Sequence, residues 1–69
     1  MMRFSIQLAR EQDGRWIAEV PELPGVLVYG VTPEAATAKA KALALRTVAD
    51  RLDHGEEAPD LAGVTFAAA

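Results

Sequence analysis

The sequence predicts a small α+β domain in which one mixed sheet carries a single helix, and three observations predict it. Residues 3–10 and 16–20 alternate apolar and polar side chains with a period of two, the pattern of half-buried strands. The segment Val20-Pro21-Glu22-Leu23-Pro24-Gly25 then supplies two prolines that cannot donate to a sheet ladder. From Pro33 to Asp53 the chain is rich in Ala, Leu, Lys and Arg, and ~20 such residues make a helix of about 30 Å.

Each element follows in order. Phe4, Ile6 and Leu8 line one face of a first strand, against Arg3, Ser5, Gln7 and Arg10. Glu11-Gln12-Asp13-Gly14 is a turn, and Trp16, Ala18 and Val20 alternate with Arg15, Ile17 and Glu19 in a second strand, so the two form a hairpin. Pro21 marks the strand end. Pro24 biases Leu23 toward extended geometry and Gly25 supplies the conformational freedom that a Pro-Gly turn uses. Val26–Tyr29, bracketed by Gly25 and Gly30, is apolar on both faces and is expected to be covered on both.

Thr32 reads as a helix N-cap with Pro33 at the first helical position, where its missing N–H costs nothing. Glu34 favours the positive end of the helix dipole, although Ala35 leaves no reciprocal capping box. At 3.6 residues per turn, Ala36, Ala40, Leu43 and Thr47 share one face, while Leu45, Val48 and Leu52 with Ala38 and Ala49 lie opposite. One face is expected on the sheet and the other in a second contact; the spacing leaves open which is which. His54-Gly55 is the expected stop. Glu56–Asp60 reads as an acidic loop and residues 63–67 as a last strand with Val64 and Phe66 on one side, followed by frayed alanines. The order is β-β-β-α-β, and a right-handed crossover through the helix brings the last strand in parallel to the first.

Sixty-nine residues make one domain, spanning 1–69. A chain this short rarely gains more than about 3–5 kcal/mol from its own core, and with no cysteine to staple it, self-association is the expected aid, a dimer above all. The formal net charge of −3 argues against a strong phosphate-backbone binder and for a basic partner. Neither an apolar leader nor a run of about 20 apolar residues is present, so a cytoplasmic protein is expected and no membrane contact.

Little in the chain looks catalytic. His54 is the only histidine and sits where it would meet the last helical carbonyls. Asp13, Glu22 and Glu34 fall in a turn, a Pro-bounded loop and a helix start, which gives each an ordinary structural role. No phosphate-binding glycine loop occurs, and Lys39, Lys41, Arg46 and Arg51 spread around the helix, interleaved with Asp50 and Asp53. No cofactor and no metal is expected. Trp16 is read as core, whereas Tyr29 is read as core or as an interface anchor.

The run Trp16-Ile17-Ala18-Glu19-Val20-Pro21-Glu22-Leu23-Pro24-Gly25, a short apolar strand, and then Gly30-Val31-Thr32-Pro33-Glu34-Ala35-Ala36 resemble the HicB-like antitoxins of toxin–antitoxin pairs, over roughly residues 4–52. The resemblance rests on the order and spacing of Pro21, Pro24, Gly25, Gly30, Thr32, Pro33 and Ala36. It implies a partial ribonuclease-H-like fold, a four-stranded sheet of order 3-2-1-4 with one helix packed on it. It also implies a binding protein without chemistry of its own. Such antitoxins neutralise HicA, a small basic RNA-cleaving toxin with an active-site histidine, by occluding its site. Family members often add a DNA-binding domain; none is expected after the last strand here, so direct DNA binding is not expected. The candidate partner or oligomer surface is Val26, Leu27, Val28 and Tyr29 with Leu45, Val48 and Leu52. The competing readings are a metal-dependent nuclease or hydrolase built on sheet carboxylates, and a structural homo-oligomer without a toxin.

Overall fold

Pairing in the sheet follows from the turns. The computed structural model describes residues 2–55 and 64–68, which form β1 (Met2–Arg10), β2 (Trp16–Glu19), β3 (Leu27–Gly30), α1 (Pro33–Asp53) and β4 (Val64–Ala68). Gly14, at φ 92°, reverses the chain between β1 and β2, which pair antiparallel with Gln7 opposite Glu19 and Ala9 opposite Ile17. The second reversal is a type II turn. Pro24 holds its first central position and Gly25, at φ 94°, its second, closed by Val26 N–H donating to the Leu23 carbonyl at 3.0 Å. Val26 closes this turn, so the third strand starts one residue later than expected.

The sheet has order β3-β2-β1-β4, with β4 parallel to β1 and the other pairs antiparallel. The fold class is therefore α+β, as the sequence predicts. The expected last strand is present one residue further on, and Ala68 pairs with Ile6 rather than fraying. The acidic loop expected at Glu56–Asp60 lies outside the described residues.

Thr32 caps α1 as predicted: its Oγ1 accepts from Ala35 N–H at 3.0 Å, with Pro33 beginning the helix. The helix ends at His54 and Gly55, the latter at φ 72°, where His54 N–H reaches the Asp50 carbonyl and Gly55 N–H the Leu52 carbonyl. It lies over β3 and β2 and only touches β1. Gly30 permits that approach. A Cβ there would overlap the Ala36 nitrogen and stand 2.8 Å from Ala36 Cα and 3.0 Å from the carbonyl carbon of Ala35.

The core joins Phe4, Ile6, Ala18, Val20, Leu23 and Val26 from the sheet side to Ala36, Ala40, Ala44 and Val48 from the helix, with Trp16, Val28, Leu43 and Phe66 packed around it. Two sequence expectations are corrected here. Val48 is 4% exposed and faces the sheet, because the helix meets it along the i, i+4 row Ala36-Ala40-Ala44-Val48, which drifts around the cylinder. Val26 is 2% exposed and likewise core. Neither is available to a partner. Nor is β3 covered on both sides within the chain: Val28 is half-buried toward the helix, whereas Leu27 and Tyr29 are exposed on the other face.

Candidate binding surfaces

Strand parity assigns the two faces of the sheet. Residues paired across strands share a face, so Ile17 and Glu19 of β2 stand with Leu27 and Tyr29 of β3 and with Gln7 and Ala9 of β1, and Arg15, just before β2, lies on the same side over the Tyr29 ring. No helix covers this side. Ile17 lies directly opposite Tyr29 and Glu19 opposite Leu27. Val20 N–H donates to the Val26 carbonyl at 3.0 Å, which fixes the alternation along β2 and β3: Val20–Val26, Ala18–Val28 and Trp16–Gly30 are the hydrogen-bonded pairs. The Ile17–Tyr29 and Glu19–Leu27 pairs are the non-hydrogen-bonded ones, whose side chains stand closest.

Arg15 organises one end of this face. Its guanidinium carbon sits 4.5 Å from the Tyr29 ring centroid, and its Nε donates to Asp13 Oδ2 at 2.7 Å. Asp13 also accepts from Arg15 N–H at 3.0 Å, and that backbone bond chiefly holds its carboxyl below its ordinary value of 3.8. Near the other end, Glu22 Oε1 accepts from Ser5 N–H at 3.0 Å. Pro21 faces Ser5 in the continued register, and the Glu22 carboxylate takes up the ladder N–H there, which lowers its pKa below 4.5.

The same alternation turns the N–H and C=O groups of Leu27 and Tyr29 outward, along the free edge of β3. That edge is partly closed. Leu27 N–H bonds the Gly25 carbonyl at 3.2 Å, and Lys39 Nζ donates to the Tyr29 carbonyl at 3.3 Å.

Two other surfaces stand apart. On the helix side, where α1 does not reach β4, a groove of about 160 Å³ is lined by Ile6, Leu8, Thr37, Phe66 and Ala68, with Lys41 Nζ 5.8 Å from the Phe66 ring centroid. On the outer face of α1, Leu45 is 50% and Leu52 46% exposed, beside exposed Ala38 and Ala49 and with exposed Asp53 at the rim.

Of the seven predicted surface residues, the structure thus brings Leu27 and Tyr29 together on the open sheet face and Leu45 and Leu52 together on the outer helix face. Val26, Val28 and Val48 go to the core side. Ile17 was missed by the sequence reading, although its place in the outward row Arg15-Ile17-Glu19 is a signal that would have found it. His54 Nδ1–H donates to the Asp50 carbonyl at 2.8 Å, the role expected of it. Among the described residues, no three His, Asp or Glu side chains are grouped to hold a metal ion, and no buried polar side-chain atom lacks a partner.

What the described residues define is a one-helix, four-stranded α+β module with three exposed apolar surfaces among them. No family model, no curated protein and no solved structure gives a significant match to this chain.

Proposed function

We propose that this chain is a HicB-like antitoxin module that acts in the cytoplasm by occluding the active site of a small, basic, HicA-type RNA-cleaving toxin. The observation that supports it most is a helix apolar on two sides, with one side buried on the sheet and the other left bare at Leu45 and Leu52. Asp53 lies at the rim of that bare side, and a basic partner is complementary to it and to the chain's net charge of −3. The carboxylates that a nuclease would need are engaged separately: Asp13 with Arg15, Glu22 with Ser5, and Asp50 with His54 at 3.4 Å. The chain acts by surface occupation, and its partial ribonuclease-H-like sheet serves as a frame. No helix among the described residues is long and apolar enough to cross a membrane.

The test is to express the short reading frame adjacent to that of this chain, alone and together with it. Co-expression relieves growth arrest and RNA cleavage, and Leu45→Lys combined with Leu52→Lys abolishes the relief. A neighbouring product that is harmless alone, or protection that survives the double substitution, rejects the reading.

A further inference from the structure

The outer edge of β4 has the chemistry of a strand with one side still to be paired. Val20 and Val26 form a hydrogen-bonded pair of β2 and β3, so alternation along β2 turns Ile17 and Glu19 toward β1, together with their partners Ala9 and Gln7. Phe4 and Ile6 then direct their N–H and C=O groups toward β4. In the parallel register of Phe4 with Phe66 and Ile6 with Ala68, those groups bond Thr65 and Ala67, and the N–H and C=O groups of Val64, Phe66 and Ala68 turn outward. Among the described residues no further strand lies beyond them.

The two edges of the sheet differ in how they are guarded. At β3 the outward Leu27 N–H and Tyr29 carbonyl are engaged, by Gly25 and by Lys39. β4, with the sequence Val-Thr-Phe-Ala-Ala, carries neither a charge nor a proline, the residues that usually blunt an edge. It also ends an aromatic row. The Phe66 ring centroid lies 5.5 Å from that of Phe4, and Phe66 is only half-buried.

We propose that β4 pairs antiparallel with β4 of a second copy, about a two-fold axis perpendicular to the sheet and through Phe66. The two sheets become one, with both helices on the same side. Phe66 then faces Phe66, Val64 faces Ala68 and Thr65 faces Ala67, so every outward N–H of the strand meets a carbonyl. Moving the axis along the strand leaves residues at its ends unmatched. The two Phe66 rings stand side by side on the helix side and continue the row from Phe4 of one chain to Phe4 of the other. A second copy is the occupant because the strand is its own complement under this axis, and no like charges are brought together within it. The dimer stands whether or not a toxin partner exists.

A proline and a pair of cysteines test it. Wild-type protein at about 100 µM sediments at twice the chain mass, the association expected of a small contact. Ala68→Pro removes an outward N–H while sparing those of Thr65 and Ala67 that hold β1, and it weakens self-association by at least about tenfold with the circular dichroism unchanged. The chain has no cysteine of its own, so Thr65→Cys and Ala67→Cys read the register. Positions 65 and 67 oppose each other across the axis as a non-hydrogen-bonded pair, with Cα atoms about 4.5 Å apart. Like positions are roughly 8 Å apart, beyond the reach of a disulfide. An equimolar mixture of the two variants therefore oxidises to the mixed disulfide at least about tenfold faster than either variant alone links to itself. If Ala68→Pro does not fold, the disulfide comparison decides by itself. A wild-type monomer, a folded Ala68→Pro variant as dimeric as the wild type, or like-with-like disulfides that form as fast as the mixed one each overturn the proposal.

Discussion

Gly30 shows how one missing Cβ sets the height of a helix above a sheet. The obstacles to a side chain there are backbone atoms of Ala35 and Ala36, which cannot swing away. Gly30→Ala therefore destabilises by about 3 kcal/mol or more, the upper end for overpacking. Gly14→Ala, with nothing within 4 Å of the added carbon, incurs only the left-handed conformation, about 1–2 kcal/mol. Denaturant midpoints of the two variants compare them directly. Glu22 governs acid sensitivity in the same local way. Its folded-state pKa is depressed, chiefly by the Ser5 N–H, so its contribution is fully present above the unfolded value near 4.5 and is lost as pH falls through the lower folded value. Glu22→Gln keeps an acceptor for Ser5 but removes the titration, and the loss of stability between about pH 6 and about pH 3 becomes shallower than in the wild type. Residue-level roles of this kind were only half legible. Pro24, Gly25, Thr32 and Pro33 have backbone signatures that hold in any context. Gly30 was legible as a bracket of β3 but not as a spacer, because close approach is decided by an element that arrives later in the chain.

At the scale of elements, β3 is the strand at risk, since an apolar edge invites pairing with other chains. Its protection comes from α1: the Lys39 ammonium reaches over the edge to the Tyr29 carbonyl. Lys39→Ala opens this position and gives larger species in sedimentation velocity than wild type and Lys39→Arg give at the same concentration, while the fold of the single chain is unchanged. The faces of α1 show why helix orientation resisted sequence reading. A helix so rich in alanine presents small apolar side chains on nearly every side, as Ala38 and Ala49 do outside and Ala40 and Ala44 do inside. Contrast between its faces is weak, and an ideal 100° wheel places Val48 about 120° from Ala36. The actual contact follows the i, i+4 ridge across a twisted sheet, which carries Val48 into the core. The strands were easier, because a period of two tolerates no drift and every polar residue marks the outer side.

For the molecule as a whole, the β-β-β-α-β order and the parallel placement of β4 were readable from turn chemistry and crossover handedness. The extent of the exposed apolar surfaces was not. Which apolar side chains remain exposed depends on how far α1 extends across the sheet, and it stops short of β4, leaving Leu8 and Phe66 beside the groove. Leu27→Lys and Leu45→Lys separate the exposed sheet face from the exposed helix face. Under the proposed antitoxin role, the second weakens neutralisation of the toxin in a co-expression growth assay and the first does not.

The pairing of β1 has a consequence in time. One neighbour of β1 is β2, which follows it by a single turn, whereas the other is β4, drawn from the opposite end of the chain, with Met2 beside Val64. During folding the first three strands and α1 can associate through nearer contacts before β4 pairs with β1. Until β4 arrives, the far side of β1 is a second open edge, flanked by Phe4 before Phe66 comes to lie 5.5 Å from it. The distant pairing closes last because its loop entropy is the largest to overcome. The folding chain is thus most exposed to wrong partners in the interval between packing its helix and seating β4.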